Sequence, residues 1–168
     1  DTGVFDDDRY WSVDVTYAKA SPTEVLARIE VENHGPDEAT LEVLPTLWFR
    51  NTWSWSDSQR PRIERDGSAL SVTDHALAGY RLEGAPGPGG EQPEPLFCEN
   101  ETNATRLFGS EGTTSYPKDG INDHVVSGAA TVNPLGFGTK AALRYRVTVP
   151  GGGKAELRLR LHRPAQAH

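Results

Sequence analysis

Apolar and polar residues alternate with period two along both ends of the chain, and this pattern constrains the fold most. In TEVLARIEVEN (23–33), aliphatic residues from Val25 to Val31 fall on one side, opposite mostly charged residues. RYWSVDVTYAKA (9–20) places Trp11 and every second residue to Tyr17 on one side in the same way. Successive side chains of a β-strand point to opposite faces, so both segments are predicted to be half-buried strands.

Several shorter segments also have the pattern of extended chain. ATLEVLPTLWFRN (39–51) is predicted to be a strand with an edge or a bulge at Pro45, because proline cannot donate a ladder hydrogen bond. Short strands are expected around Arg62–Glu64, Ala69–Thr73 and Ala76–Leu82, with a turn at Asp66-Gly67 between the first two. KAALRYRVTVP (140–150) and KAELRLRLH (154–162) flank a Gly-rich turn and predict an antiparallel hairpin with one wet face.

Residues 84–138 differ from the two ends because they are rich in Gly, Pro, Asn and Asp and show little periodicity. They are interpreted as a long irregular insertion, with one helical turn over 103–108 capped by Thr102 or Asn103. Strands at regular spacing without long amphipathic helices predict an all-β fold. We expect an antiparallel two-sheet β-sandwich forming a single domain over residues 1–168.

Composition excludes several function classes. The net charge of -7 leaves no basic stripe for nucleic acid, and no run reaches the roughly 18 to 20 apolar residues of a membrane span. The lone cysteine, Cys98, rules out an internal disulfide and is expected to be a small buried hydrophobe. Because no methionine or signal peptide is present, we expect a cytoplasmic piece of a larger protein, and the Ala, Arg, Gly and Pro richness suggests a bacterial one.

LWFRNTWSW (47–55) holds three of the four tryptophans. On a straight strand one face carries Phe49, Asn51, Trp53 and Trp55, and the other carries Trp48, Arg50 and Thr52. Both faces are then bulky, which predicts packing against a core or another domain. Stacking of the indoles on sugar rings is the alternative.

Two polar segments lie in the irregular region. Glu99 and Glu101 in FCENETN (97–103) would point the same way on a strand, about 6.5 to 7 Å apart. Two neighbours on one strand face cannot attack a sugar from opposite sides, so we interpret them as loop anchors or cation ligands rather than a catalytic pair. YPKDGINDHV (116–125) is either a solvated turn or a polar site in which Asp119 and Asp123 help hold calcium. No complete catalytic, metal or cofactor motif is present, and no cofactor is predicted.

Six blocks taken together resemble bacterial proteins related to glycoside hydrolase family 63, the family of the mannosyl-oligosaccharide glucosidases. They are DTGVFDDDRYW (1–11), VTYAKAS (15–21), NHGPDEATLEVLPTLWFRNTWSW (33–55), LFCENETNATRLFG (96–109), KDGINDHVV (118–126) and NPLGFGTKAA (133–142). The resemblance implies a supersandwich-like N-terminal β domain that precedes an (α/α)6 catalytic barrel. It places the catalytic acid and base on that barrel, so no catalytic residue is carried over to this chain.

These inferences lead to one leading hypothesis and one rival. The leading hypothesis is a non-catalytic β-sandwich domain that packs against the barrel of its parent protein, an α-glucosidase-like glycoside hydrolase, and shapes the substrate cleft. The rival is an independent carbohydrate-binding module that binds an oligosaccharide through Trp53 and Trp55. Both share one set of candidate contact residues: Trp48, Arg50, Asn51, Trp53, Trp55, Glu99, Asn100, Glu101, Asn103, Lys118, Asp119, Asn122 and Asp123.

Overall fold

The computed structural model describes residues 3, 5, 7–55 and 59–164. The strands among these residues are β1 (Trp11–Ser21), β2 (Glu24–Asn33), β3 (Ala39–Val43), β4 (Thr46–Trp48), β5 (Arg62–Asp66), β6 (Ala69–Asp74), β7 (Arg81–Gly84), β8 (Glu94–Cys98), β9 (Phe137–Gly138), β10 (Lys140–Val149) and β11 (Lys154–His162). The two helices are α1 (Ala104–Phe108) and α2 (Gly120–Ser127). Neither helix is long or apolar enough to cross a membrane.

The strands form two antiparallel sheets. The larger sheet has the order β1-β2-β11-β7-β6-β5-β9. In the smaller sheet β10 is central, with β8 on one edge and β3 followed by β4 along the other. The predicted all-β, antiparallel sandwich is confirmed.

The main core lies between the two sheets. Alternate residues of β10 face the larger sheet, and Leu143, Tyr145 and Val147 are almost fully buried. The Tyr145 hydroxyl donates a hydrogen bond of 2.9 Å to the Ala85 carbonyl just after β7, which links the two sheets directly. A Cβ atom at Gly84 would lie 2.0 Å from that hydroxyl, so the link requires glycine there.

The predicted C-terminal hairpin is wrong. β10 and β11 follow one another through a tight turn, but β10 pairs in the smaller sheet and β11 pairs with β2 and β7 in the larger one. Asn33 stabilises this crossing, because its side-chain amide donates to the Val149 and Asp37 carbonyls at 3.0 and 2.8 Å. Both strands have one apolar side, and here these sides face each other across the core rather than lying side by side.

The interpretation of residues 84–138 as an irregular insertion needs correction. β8 lies within this region and is a core strand, in which Leu96, Phe97 and Cys98 are at most 3% exposed. α2, which the sequence did not predict, covers the outer side of the smaller sheet through Ile121 and encloses a second, smaller core. Much of the region is therefore a packed third layer.

The predictions for the helix cap, for Pro45 and for the strand over Ala76–Leu82 had different outcomes. Asn103 caps α1 as expected, since its side chain accepts a 3.1 Å hydrogen bond from the Arg106 amide. Pro45 does interrupt the strand, and β3 and β4 continue on either side of it along β10. The strand expected over Ala76–Leu82 is shorter, because residues 75–79 form turns and β7 begins at Arg81.

Candidate functional site

A buried carboxylate organises the loops at one end of the sandwich. Glu101 is 6% exposed and accepts hydrogen bonds from the Trp53 indole at 3.2 Å, from the Arg60 guanidinium and from the Thr113 hydroxyl. Since three donors from three separate segments converge on it, the carboxylate is well satisfied despite its burial. We call Glu101, Trp53, Arg60 and Thr113 the Glu101 cluster.

Glu99 lies beside this cluster and makes different contacts. Its Oε2 accepts hydrogen bonds from the Thr139 amide and hydroxyl at 3.2 and 2.6 Å. Its Oε1 lies 3.9 Å from Nη1 of Arg60, so one guanidinium lies between two glutamates. β8 ends at Cys98, and the expectation that Glu99 and Glu101 share a strand face is therefore wrong.

Asn100 connects the two glutamates to the tryptophan-rich segment. Its backbone amide donates to the Thr139 hydroxyl and its side-chain amide to the Phe49 carbonyl, both at 2.8 Å. The Phe49 amide in turn donates to the Thr139 carbonyl at 3.0 Å. The sequence identified Asn100 as a candidate, and in the structure it fixes the position of the loop that begins at Phe49.

The tryptophans themselves do not share a strand face. β4 ends at Trp48 and residues 53–55 form a turn, so the segment is not one straight strand. Phe49 is buried, whereas Trp55 is 68% exposed. Trp53 packs against the main core and is held by Glu101. Trp48 is 56% exposed, and the Arg50 guanidinium lies 5.0 Å from the Trp55 ring. The outward-facing aromatic residues are thus Trp48 and Trp55.

The predicted polar loop around residues 118–123 is the start of α2. Asp119 and Asp123 both pair with the exposed Arg106 at 3.1 Å, and Asn103 donates to Asp119 at the same distance. The hydrogen bond that Arg106 donates to the Asp119 carboxylate raises the pKa of Arg106. Among the described residues no group of three or more His, Cys, Asp or Glu side chains is placed to hold a metal ion.

The remaining candidates do not join a common site. Lys118 and Asn122 are exposed at the surface of this helical layer. Asn51 accepts a 3.3 Å hydrogen bond from the Ser54 amide within its own turn. The structure therefore brings together Trp53, Glu99, Asn100 and Glu101 from the candidate set and adds Arg60, which no local sequence pattern identified.

The structure also reveals an apolar surface that sequence reasoning missed. β1 is the last strand of the larger sheet, and its residues Val13, Val15 and Tyr17 are 51%, 46% and 72% exposed although they point to the core side. The expectation that β1 is half buried on this side is wrong, because the smaller sheet is too narrow to cover it. One signal was present: Lys19, a charged residue, occupies the next position on that side.

This surface continues into a groove of about 230 Å³ between the ends of the two sheets. The groove is lined almost entirely by apolar side chains: Val15, Tyr17, Val25, Ala27, Ile29, Pro45, Thr46, Leu47, Leu82, Leu159 and Leu161. We call these residues together with Val13 the open face.

Comparison with known proteins relates this chain to part of a yeast protein. No family model matches the chain. Over an alignment 174 positions long, the chain is 31% identical to a Saccharomyces cerevisiae protein named "Uncharacterized protein YMR196W". The alignment covers 87% of this chain, whereas the chain spans 16% of the length of the yeast protein. The similarity thus concerns one segment of a much longer polypeptide.

Proposed function

We propose that the chain is a non-catalytic β-sandwich domain of a glycosidase similar to glycoside hydrolase family 63, and that it packs against the (α/α)6 catalytic barrel of the same parent protein. The observation that carries the proposal is the open face. Burying apolar surface stabilises an interface by about 25 cal/mol per Å², and contiguous exposed apolar surface is typical of sites where another domain binds.

The opposite side of the same strands supports this assignment. There Lys154 pairs with Glu30 at 3.2 Å and with Glu32 at 3.0 Å, and Arg160 pairs with Glu24 at 2.5 Å. Such a charged surface is stable in water. Only the core-facing side of this part of the larger sheet lacks a suitable environment, so we expect a partner on that side.

The rest of the parent protein is the partner that the comparison favours. The yeast relative continues far beyond the aligned segment, since this chain spans 16% of it. A domain on the same polypeptide is held at high effective concentration, so a modest apolar interface is sufficient for stable packing. In this arrangement we assign the exposed Trp48 and Trp55 to the rim of the substrate cleft.

The test is to produce the parent protein as two polypeptides, this chain and the remainder. We expect the two to form a 1:1 complex in analytical ultracentrifugation, and the remainder to show a helical circular dichroism spectrum. The double variant Val15→Asp/Tyr17→Asp should weaken the complex at least tenfold, because it places two charges in an apolar interface.

A matched control lies on the same strand. Thr16 is exposed on the opposite side of β1 and is aligned with Arg28, so Thr16→Asp should leave the complex intact. Absence of a complex, a remainder without helices, or equal weakening by Thr16→Asp would each contradict the proposal.

The independent carbohydrate-binding module remains a second candidate because Trp55 is exposed with Arg50 beside its ring. In that case soluble glucan should change the tryptophan fluorescence of the chain alone, and Trp55→Ala should abolish the change. Trp53→Ala is a poor test, since Trp53 supports the core and binds Glu101.

A further inference from the structure

A second, polar cleft lies next to the Glu101 cluster. It has a volume of about 270 Å³ and is lined by Arg60, Pro61, Arg62, Asp74, Glu99, Phe137 and Gly138. Ligand pockets in proteins usually start at roughly 300 Å³, so this cleft suits a single small ring rather than an extended ligand.

The charges that line the cleft cancel. Arg60 and Arg62 contribute two positive charges, and Asp74 and Glu99 contribute two negative charges. Both guanidinium groups are also paired with glutamates outside the lining, so the cleft has no unpaired positive charge that would attract an anion. The two lining carboxylates accept hydrogen bonds and the guanidinium groups donate them, which suits a ligand whose hydroxyl groups can both donate and accept.

Several of these side chains keep unused hydrogen-bonding capacity. The 3.9 Å separation of Arg60 Nη1 from Glu99 Oε1 is too long for a hydrogen bond, so each atom can bind a further group. Asp74 accepts a 3.3 Å hydrogen bond from Gln59 on Oδ1, and no partner of its Oδ2 is found among the described residues. The cleft therefore presents acceptors and a donor to a ligand.

The lining is also held in place before any ligand binds. Both hydrogen bonds from Thr139 hold Oε2 of Glu99, which fixes where Oε1 points. The Arg62 guanidinium lies 3.8 Å over the Phe137 ring and pairs with Glu64. At Gly138 a Cβ atom would lie 2.2 Å from the Cys98 carbonyl, so the backbone there is fixed closely against β8. Fixed polar groups bind with a smaller entropic cost than mobile ones.

We infer that this cleft binds one neutral, polyhydroxylated ring, such as a single pyranose unit of a sugar, with Glu99 and Asp74 accepting from its hydroxyl groups and Arg60 donating to them. The inference rests on the proposed function only for the source of the sugar. Binding itself requires no partner domain, and it uses a surface separate from the exposed Trp48 and Trp55.

The test uses the ¹⁵N-labelled 168-residue chain and methyl α-D-glucopyranoside or methyl α-D-mannopyranoside as probes. We expect saturable NMR shifts of the Trp53 indole and the Gly138 and Thr139 amides, with a dissociation constant in the millimolar range, on the order of what one ring provides. Glu99→Gln and Asp74→Asn should each weaken binding about tenfold, because a charged acceptor is lost.

Glu38→Gln is the matched control. Glu38 is exposed and precedes β3, whose first residue is aligned with Val149 at the far end of β10 from the cleft. This variant should bind the probes as the original chain does. Thermal unfolding of each variant shows whether weakened binding reflects lost folding.

Four outcomes would overturn the inference: no saturable shift up to about 100 mM probe, shifts confined to the Trp48 and Trp55 indoles, equal shifts with sodium phosphate or magnesium chloride, or undiminished binding in both Glu99→Gln and Asp74→Asn. The proposed docking is judged separately. Val15→Asp/Tyr17→Asp should leave sugar binding unchanged, so either proposal can fail without the other.

Discussion

The closed part of the sandwich and its open face are built from the same alternating strands, but only the closed part has its apolar residues covered. On β2, Val31 is fully buried, whereas Val25 on the same side lines the open groove. On β11, Leu157 is fully buried and Leu161 lines the groove. Alternation decides which side of a strand faces inward, while the width of the opposing sheet decides whether that side is covered.

The Glu101 cluster offers a second contrast with the open face. Its charged and polar groups pair with one another, so it is complete without a partner. The side chains of the open face cannot satisfy one another in this way, because apolar side chains stabilise a structure only when water is excluded from them. The Glu101 cluster therefore needs no other domain to satisfy its polar groups, whereas the open face is suited to pack against one.

The largest expected effect tests where along β11 the closed part of the sandwich ends and the open face begins. Leu157→Ala should lower the free energy of unfolding by about 3 kcal/mol, because it leaves a cavity in the closed core. Leu161→Ala, the same substitution four residues along the same strand, should cost about 1 kcal/mol, because its site is already open to water. Urea-induced unfolding followed by circular dichroism gives both values.

Equal costs for these two variants would contradict the comparison. They would mean that the groove is closed around Leu161 in the chain as it exists in solution. A rise of the Leu161→Ala cost with protein concentration would identify a second copy of the chain as the cover.

Local sequence pattern was sufficient for the strands but not for their partners. β2 and the turn at Asp66-Gly67 were predicted because residue alternation and turn chemistry act over a few residues. The hairpin of β10 and β11 was wrongly predicted, since one apolar side fits a neighbour in the same sheet as well as a facing sheet. Long-range contacts, such as the hydrogen bond from Asn33 to the Val149 carbonyl, distinguish these two arrangements.

The candidate site shows the same limit. Glu99, Glu101 and Trp53 stood out because of their residue types, but their common partner Arg60 lies 41 residues before Glu101 in the chain and has no local motif. The short α2 was missed because it has only eight residues, begins at Gly120 and is followed by Gly128. The residues between these two glycines show little apolar periodicity. Contacts of this kind depend on the complete fold rather than on any single segment.

The second largest effect tests whether the Glu101 cluster is a structural unit. Glu101→Ala should lower the free energy of unfolding by about 2 kcal/mol, because it removes a charged acceptor and leaves the Trp53 indole without its partner. Glu111→Ala, at an exposed position in the same region, should change it by less than about 0.5 kcal/mol. A similar small change for Glu101→Ala would show that the cluster does not stabilise the fold.

The third prediction concerns alkaline pH and the closed part. Burial raises the pKa of the Cys98 thiol from 9.0, and that of the Tyr145 hydroxyl from 10.0, to about 12 each. Both groups stay neutral in the folded chain at a pH where they ionise in the unfolded chain. Their contribution to stability is therefore complete below pH 9 and is lost as pH rises to about 12.

Between its unfolded and folded pKa values, each group alone should then lower the free energy of unfolding by about 1.4 kcal/mol per pH unit. Urea unfolding at constant ionic strength measures this loss, and Cys98→Ala should move its onset from about pH 9 to about pH 10, where Tyr145 alone acts. An unchanged onset in Cys98→Ala would show that the thiol is not protected by the fold. Alkylation of the folded chain by iodoacetamide checks the same point.

The smallest expected effect is on the open face itself. Val13→Thr/Val15→Thr keeps the shape of both side chains and replaces a methyl group by a hydroxyl at positions that are 51% and 46% exposed. Each change should alter the free energy of unfolding by less than about 0.5 kcal/mol, while binding of the apolar dye 1-anilinonaphthalene-8-sulfonate should fall. Val31→Thr on the adjacent strand, at a fully buried position aligned with Val13, is the matched control and should cost well over 1 kcal/mol, on the order of an unpaired buried hydroxyl. If the double variant is as costly as Val31→Thr, these valines are covered in the chain alone, and the partner domain is not needed to explain them.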